Sequence, residues 1–406
     1  MNSLQWIQKT TKIAFMNLNS FEIAYPESYP GTEKTQINFY SSTPNLVELY
    51  KPGKTDERRC FVTDATVATL PCVVPFIDCF EDGKCGNDIL IILGSGESYK
   101  TIESVLTIVK DAVDSGFARK DLFVGIGGGV ICDLTGFAAS LFKRGAKVQF
   151  VPTTLLAMVD ASIGGKTGCD FENYKNMIGS FFPAQQIHIY PEFVQSLSKE
   201  QYRSGLAEAL KTALLYDKDL YQIIKTEKTK ILSRDSQIID TIIQKCAKAK
   251  ANVVQEDFTE KNIRMYLNLG HTFGHALETI IGLGKIAHGD AVAWGIGRVL
   301  ELCAKKEICK ESYKAEVFEG DIVQDVSVGD EYGIIIFEDG HFYINTPGVL
   351  EDIESIYAYE IVGISQLSAM STKPTGLNSG VALSTMENIE SDRFETQLNQ
   401  VIRAYV

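Results

Sequence analysis

His271 and His275 stand four residues apart and His288 follows closely, so three of the five histidines in this 406-residue chain fall within one short stretch. On a helix, positions four apart share a face, and a third histidine can return to the same place from the next turn or helix. Such a group suits a divalent metal. Glu208, set in the apolar helical segment 203–211, can complete a two-histidine, one-carboxylate site with a position left open for substrate. A solitary histidine is usually a surface or core-satisfied group, and it is the clustering that favours metal. The run His-Thr-Phe-Gly-His at 271–275 is not the zinc-protease pattern: no glutamate follows the first histidine, so peptide hydrolysis lacks its usual general base.

Two glycine-rich segments suggest anion binding. Gly127, Gly128 and Gly129 follow the apolar run 122–126 and precede an apolar helical pattern, where backbone amides can approach a phosphate at a helix N-terminus. This is not the Gly-x-Gly-x-x-Gly dinucleotide fingerprint. The second segment, 160–168, ends like a P-loop around Lys166 but lacks the first glycine at the required spacing, which argues against a kinase or ATPase. Beside these turns stand Lys143, Arg144, Lys166, Lys175, Asn176, Lys211, Lys250, Arg264 and Asn268. Lys211 and Lys250 lie within otherwise apolar helical segments. Several cations near a metal describe a pocket for a polyhydroxylated, multiply anionic substrate.

These groups need a scaffold, and the pattern of the chain supplies one. Strand-like runs at 60–64, 88–93, 122–126 and 148–152, with a helical pattern at 101–115 between the second and third, predict an α/β layer with a largely parallel sheet over about 35–185. Helical periodicity then dominates 190–310, as in 221–225, 238–254 and 292–306. The expected division is an α/β nucleotide-binding domain over 1–185 and a mostly α-helical metal- and substrate-binding domain over 186–406. The last part, from about 311, changes character: 331–344 reads as a β-hairpin and 371–380 as loop.

Composition bounds the function. With 45% hydrophobic residues the chain can build a sizeable core. A net charge of -13 argues against nucleic acid as a partner, so an anionic substrate must meet a locally basic pocket. No apolar run approaches the ~20 residues of a membrane span, and the first residues lack a secretory pattern, so a cytoplasmic protein is expected. Nine scattered cysteines without a Cys-x-x-Cys pair read as buried thiols, not disulfides or a zinc knot.

Taken together in order and spacing, the blocks 127–139, 143–145, 151–157, 159–168, 175–179, 203–208, 250–254 and 267–276 closely resemble 3-dehydroquinate synthase, of the sugar-phosphate cyclase superfamily. The resemblance covers roughly 60–305. It implies Glu208, His271 and His288 as ligands of a catalytic zinc, with cobalt as an alternative, and His275 as a polar neighbour near the substrate phosphate. It implies Arg144, Asp160, Lys166, Asn176, Lys211, Lys250, Arg264 and Asn268 as the groups holding substrate, the lysines also stabilising oxyanions. For NAD it implies Asp64 near the adenosine end, then Glu97, Lys100, Gly128, Gly129, Asp133, Thr153 and Thr154.

The reaction so implied turns 3-deoxy-arabino-heptulosonate 7-phosphate into 3-dehydroquinate and phosphate, a step of aromatic amino acid biosynthesis. NAD oxidises the ring hydroxyl at C5, phosphate leaves, the NADH just formed reduces the carbonyl, and ring opening with aldol closure follows, so NAD is regenerated. A homodimer is compatible with the resemblance. Cys169, Asp170 and Tyr174 depart from the family's usual valine, asparagine and glycine, and the family's late lysine has no clear counterpart, Lys373 lying in a different context. The rivals are another cyclase of the superfamily, making deoxy-inosose or valiolone rings, and a metal-dependent polyol dehydrogenase that releases NADH.

Overall fold

The computed structural model describes residues 20–26, 33–53, 57–172, 174–282, 284–305, 335–338 and 341–344. They fall into two compact units, the first formed by Met1–Asp170, Asn176–Leu197 and Arg234–Thr259, the second by Phe171–Lys175, Ser198–Ser233 and Glu260–Val406.

The first unit is built on a seven-stranded sheet of β1 (Phe21–Ala24), β2 (Lys34–Phe39), β3 (Arg59–Asp64), β4 (Ile89–Leu93), β5 (Leu122–Gly127), β6 (Lys147–Pro152) and β9 (Gln186–Ile189). A separate two-stranded sheet pairs β7 (Lys166–Phe171) with β8 (Tyr174–Phe181). The order in the large sheet is β1-β2-β9-β6-β5-β3-β4, parallel throughout except for β1 against β2. All six residues of β5 are buried, which explains its unbroken apolar run: a central parallel strand is covered on both faces. The four strands expected from the sequence are β3 to β6. The helix expected at 101–115 is Ile102–Asp114, capped by the Thr101 hydroxyl and burying Val105, Ile108 and Ala112 on one face.

From β3 the chain passes to β4 on one side and returns to β5 on the other, so the sheet has a switch point between β3 and β5. In open α/β sheets such a crevice, at the carboxyl ends of the strands, is where ligands bind. Arg59 at the opposite end of β3 is buried and paired with Asp88 at 2.7 Å, and Asp88 also accepts the Arg59 backbone N–H. The helix Ser236–Glu256, which carries Lys250, packs in this unit although it follows residue 185.

Helices dominate the described part of the second unit: Lys199–Tyr216, Lys218–Thr226, Lys228–Leu232, His271–Ile281 and His288–Lys305. Glycines let three of them approach backbone to backbone. A Cβ on Gly289 would lie 2.3 Å from Ser204 Cα, and one on Gly295 would lie 2.0 Å from the Gly270 carbonyl oxygen. The Gly289 N–H, unpaired at a helix start, donates instead to Ser204 Oγ at 2.9 Å. Arg203 beside it forms a two-pronged ion pair with Asp290. The start of the His288 helix is thereby fixed against the helix of Glu208.

The hairpin expected at 331–344 is present as β10 (Ile335–Glu338) antiparallel to β11 (His341–Ile344). The loop expected at 371–380, and Lys373 with it, lies outside the described residues. Seven cysteines with described side chains are free thiols, five of them buried. No helix among the described residues is long and apolar enough to cross a membrane.

Candidate active site

In the second unit, helix packing gathers the three clustered histidines and Glu208. The Glu208 carboxylate is 1% exposed, and its Oε1 lies 3.6 Å from His271 Nε2 and 3.7 Å from His288 Nε2. Two donors each roughly 2.1 Å from a tetrahedral ion stand about 3.4 Å apart, close to these separations. Glu208 Oε1 accepts no hydrogen bond, while Oε2 pairs with the equally buried Lys211. A buried carboxylate oxygen with no hydrogen-bond donor, facing two imidazole nitrogens, fits a divalent cation.

The tautomers agree with that fit. His271 Nδ1 lies 3.3 Å from the Leu269 carbonyl oxygen, which can only accept, so Nδ1 carries the proton and Nε2 keeps its lone pair. Burial, helped by Lys211, His288 and His275, holds the His271 imidazole well below its ordinary pKa and keeps it neutral. His288 Nδ1 likewise donates to Glu278, at 3.2 Å from Oε2. His275 completes a second trio: one nitrogen from each of His271, His275 and His288 lie within 4.8 Å of one another. Geometry alone therefore allows His275 as a ligand; the Glu208 oxygen favours the set of Glu208, His271 and His288. Arg264 is buried on the short 3₁₀ helix Ile263–Asn268, while Asn268 is exposed and donates to Glu260 at 2.7 Å.

In the first unit, the residues expected to hold NAD gather at the carboxyl ends of the parallel strands. Asp64 ends β3, Gly128 and Gly129 follow β5, Thr153 and Thr154 follow β6, and Glu97 and Lys100 follow β4. Gly128 precedes the helix Gly129–Leu141, whose first turn has no side-chain cap and so presents free amides. A Cβ on Gly127 would strike Ile131 at 2.6 Å and one on Gly128 would meet Thr154 Cγ2 at 3.0 Å, so side chains here would close the turn. The buried Thr153 hydroxyl has no hydrogen-bond partner, a group that a bound ligand would satisfy. Asp64 also has a structural duty: it caps the short helix Ala65–Ala68 and accepts from Ser95 Oγ at 3.0 Å.

Lys100 is buried and bridges Asp133 at 2.7 Å and the Asn176 amide oxygen at 2.5 Å. Burial alone would depress its ammonium, but Asp133, Glu97 and Asp170 outweigh burial and raise it above its ordinary range. Asn176 is held at φ 56°, its N–H donating to Asp170. Lys250 is 8% exposed by side chain and reaches both the Asp160 carboxylate and its backbone carbonyl at 2.8 Å. Asp160 sits on a π-helical turn, Ala157–Ala161, a conformation common at functional sites. Lys166 opens β7 and is exposed, as is Arg144, which follows Lys143 in the left-handed region at φ 65°.

Glu278 is the residue that spacing alone did not single out. It is an acid in an apolar helix, three positions after His275, so a ligand helix can be searched for such carboxylates on its own face. Burial would raise its carboxyl, but His288, Lys175 and His275 outweigh burial and hold it below its ordinary range.

Family models of the 3-dehydroquinate synthase N-terminal and C-terminal regions match residues 90–204 and 205–325. A 3-dehydroquinate synthase of Acidithiobacillus ferrooxidans is 35% identical over 273 residues, spanning 66% of this chain and 74% of the relative. The chain belongs to the 3-dehydroquinate synthase family. The C-terminal family match runs past residue 305, where the resemblance read from the sequence ends. A 3-dehydroquinate synthase of Shewanella pealeana is 40% identical over 259 residues, covering 64% of this chain and 70% of the relative. Among solved structures, a 2-epi-5-epi-valiolone synthase from Streptomyces hygroscopicus with NAD+ and Zn2+ bound aligns with a TM-score of 0.62 at 26% identity, over 72% of this chain and 82% of that one. A 2-deoxy-scyllo-inosose synthase, complexed with carbaglucose-6-phosphate, NAD+ and Co2+, aligns with a TM-score of 0.63 at 22% identity over 81% of this chain and 96% of that one, a likeness of fold.

Proposed function

We propose that this chain is a 3-dehydroquinate synthase, a carbon–oxygen lyase that converts 3-deoxy-arabino-heptulosonate 7-phosphate to 3-dehydroquinate and phosphate with NAD and one zinc or cobalt ion. The observation that carries the metal-dependent chemistry is the buried Glu208 oxygen facing His271 and His288 in a chain of this family. The family models that match both regions and the 35–42% identity to dehydroquinate synthases favour the heptulosonate as substrate. The same reading makes the enzyme cytoplasmic and a homodimer.

When bound, the ion would polarise a substrate hydroxyl or carbonyl oxygen and NAD would take and return hydride. Glu208, His271 and His288 hold the ion, and His275 lies beside them as a polar group for the substrate phosphate. Lys211, pinned by Glu208, keeps its ammonium in a desolvated place where it stabilises a developing oxyanion. Lys250 is aimed by Asp160 for the same task. The amides after Gly128 meet the NAD phosphates, with Asp133, farther along that helix, and Lys100 fixing each other. Arg144, Asp160, Lys166, Asn176, Arg264 and Asn268 provide the charge and amide groups that a carboxylated, phosphorylated polyol requires.

The test is to supply metal-loaded protein and NAD with the heptulosonate phosphate, and in parallel with sugar phosphates that lack a carboxylate, following product by NMR. 3-Dehydroquinate from the first and no cyclic product from the others is expected. Cyclisation of only the uncarboxylated sugars would assign the chain to a different cyclase.

A further inference from the structure

Glu278 and Lys175 take no part in the site as assigned, yet both are buried, with side chains 2% and 6% exposed. A buried carboxylate is costly unless each oxygen is used. Here both are: Lys175 Nζ donates to Oε1 at 2.9 Å, and His288 Nδ1 lies 3.2 Å from Oε2 and 3.3 Å from Oε1. The opposite ring nitrogen, Nε2, faces Glu208. Glu278 lies on the helix that carries His271, Lys175 on the short stretch Phe171–Lys175 of the same unit, and His288 begins the next helix.

We propose that Glu278 is a positioning residue that sets the orientation and tautomer of His288 for metal, and that Lys175 holds Glu278 in place. The proposal rests on the metal reading of Glu208, His271 and His288. An ionised carboxylate only accepts, so the proton on His288 must sit on Nδ1, and the lone pair is then on Nε2. Hydrogen bonding to a carboxylate also raises the donor strength of the ring, the way outer-shell acids tune metal-bound histidines elsewhere. His271 obtains the same service from a backbone carbonyl, which carries no full charge. The two histidines are thus unequal, and His288 is the one whose affinity for metal depends on a side chain. Glutamine at 278 cannot replace the acid fully, because one amide oxygen would have to serve both Lys175 and Nδ1–H while the amide NH2 turned toward one of them.

The experiment compares metal-free wild type, Glu278→Gln, the double variant Lys175→Met/Glu278→Leu and Glu208→Ala, titrated with zinc against a chelator and with cobalt by visible absorption. The double variant replaces both members of the ion pair by apolar groups, so that the buried ammonium does not lose its carboxylate and folding, checked by circular dichroism, is preserved. Both Glu278 variants are expected to bind zinc about 10- to 100-fold more weakly and to show altered cobalt bands. Wild-type zinc affinity and cobalt spectrum in either folded Glu278 variant would overturn the proposal. Glu208→Ala separates this from the underlying reading: stoichiometric, wild-type-affinity metal in that variant sinks the ligand assignment itself, while loss there with normal binding in the Glu278 variants sinks only the role of Glu278.

Discussion

Replacing Glu208 by alanine should do two separable things. On the proposed reading it removes a metal ligand, and it takes from Lys211, whose side chain is only 1% exposed, the buried carboxylate it pairs with. Breaking one side of a buried ion pair costs about 3–5 kcal/mol, a large part of the ~5–15 kcal/mol that holds a domain folded. Metal-free Glu208→Ala should therefore unfold at markedly lower urea than metal-free wild type, as followed by circular dichroism, and should retain no zinc after dialysis. The double variant Glu208→Leu/Lys211→Met, which replaces the pair by apolar side chains of similar volume, should regain most of the lost stability and still hold no zinc or activity. Stability and metal then move independently. If the single variant unfolded like wild type, the burial of the pair would be wrong; if the double variant regained stoichiometric zinc, Glu208 would not be a ligand and the His271, His275 and His288 trio would take its place.

Three further outcomes follow from the packing and charge of the two units. Gly289→Ala places a Cβ 2.3 Å from Ser204 Cα, so the two helices must separate at a cost of about 1–3 kcal/mol and zinc affinity should fall with stability; unchanged values for both would mean the helices can part freely. Burial lowers His188 to about 4 from an ordinary 6.5, so the unfolded chain binds more protons between those values and folded stability falls as pH drops through that window, by about 3 kcal/mol from this group. Denaturant titrations at pH 7 and 4.5 should show a smaller acid loss in His188→Phe than in wild type, and equal losses would remove His188 as a source. Lys166→Ala should bind NAD almost normally by calorimetry and hydrolyse no ATP, while phosphate release falls about a hundredfold, the effect of losing roughly 3 kcal/mol of charge-assisted contact; full activity would take Lys166 out of the site.

Much of this was legible in the chain because burial leaves periodic marks. Lys211 and Lys250 stood out as cations inside apolar helical runs, and both are buried on ion pairs. The apolar run of β5 announced a strand of a parallel sheet and the glycines after it a tight turn, and in the fold that strand is wholly buried and the turn admits no Cβ at Gly127. Less legible was partnership across the sequence. The amphipathic helix Ser236–Glu256 reads as one more member of a helical domain, yet its apolar face is buried with the sheet unit, because periodicity reports that a face is buried and not against what. β1 and β9 are only four residues long, and β9 pairs with β2, far earlier in the chain, as in Gln36 opposite Gln186. Glu278 escaped for a related reason: its partners are Lys175 and His288, one of them far away in sequence, and only the fold brings the three together.

Regeneration of NAD within each turnover is what separates a cyclase from a dehydrogenase on this fold. Metal-loaded protein with a limiting amount of NAD and excess 3-deoxy-arabino-heptulosonate 7-phosphate should release many phosphates per NAD, one for each 3-dehydroquinate formed, while absorbance at 340 nm stays flat. One NADH accumulating for each substrate consumed, without phosphate, would contradict it and make the chain a dehydrogenase on the same fold.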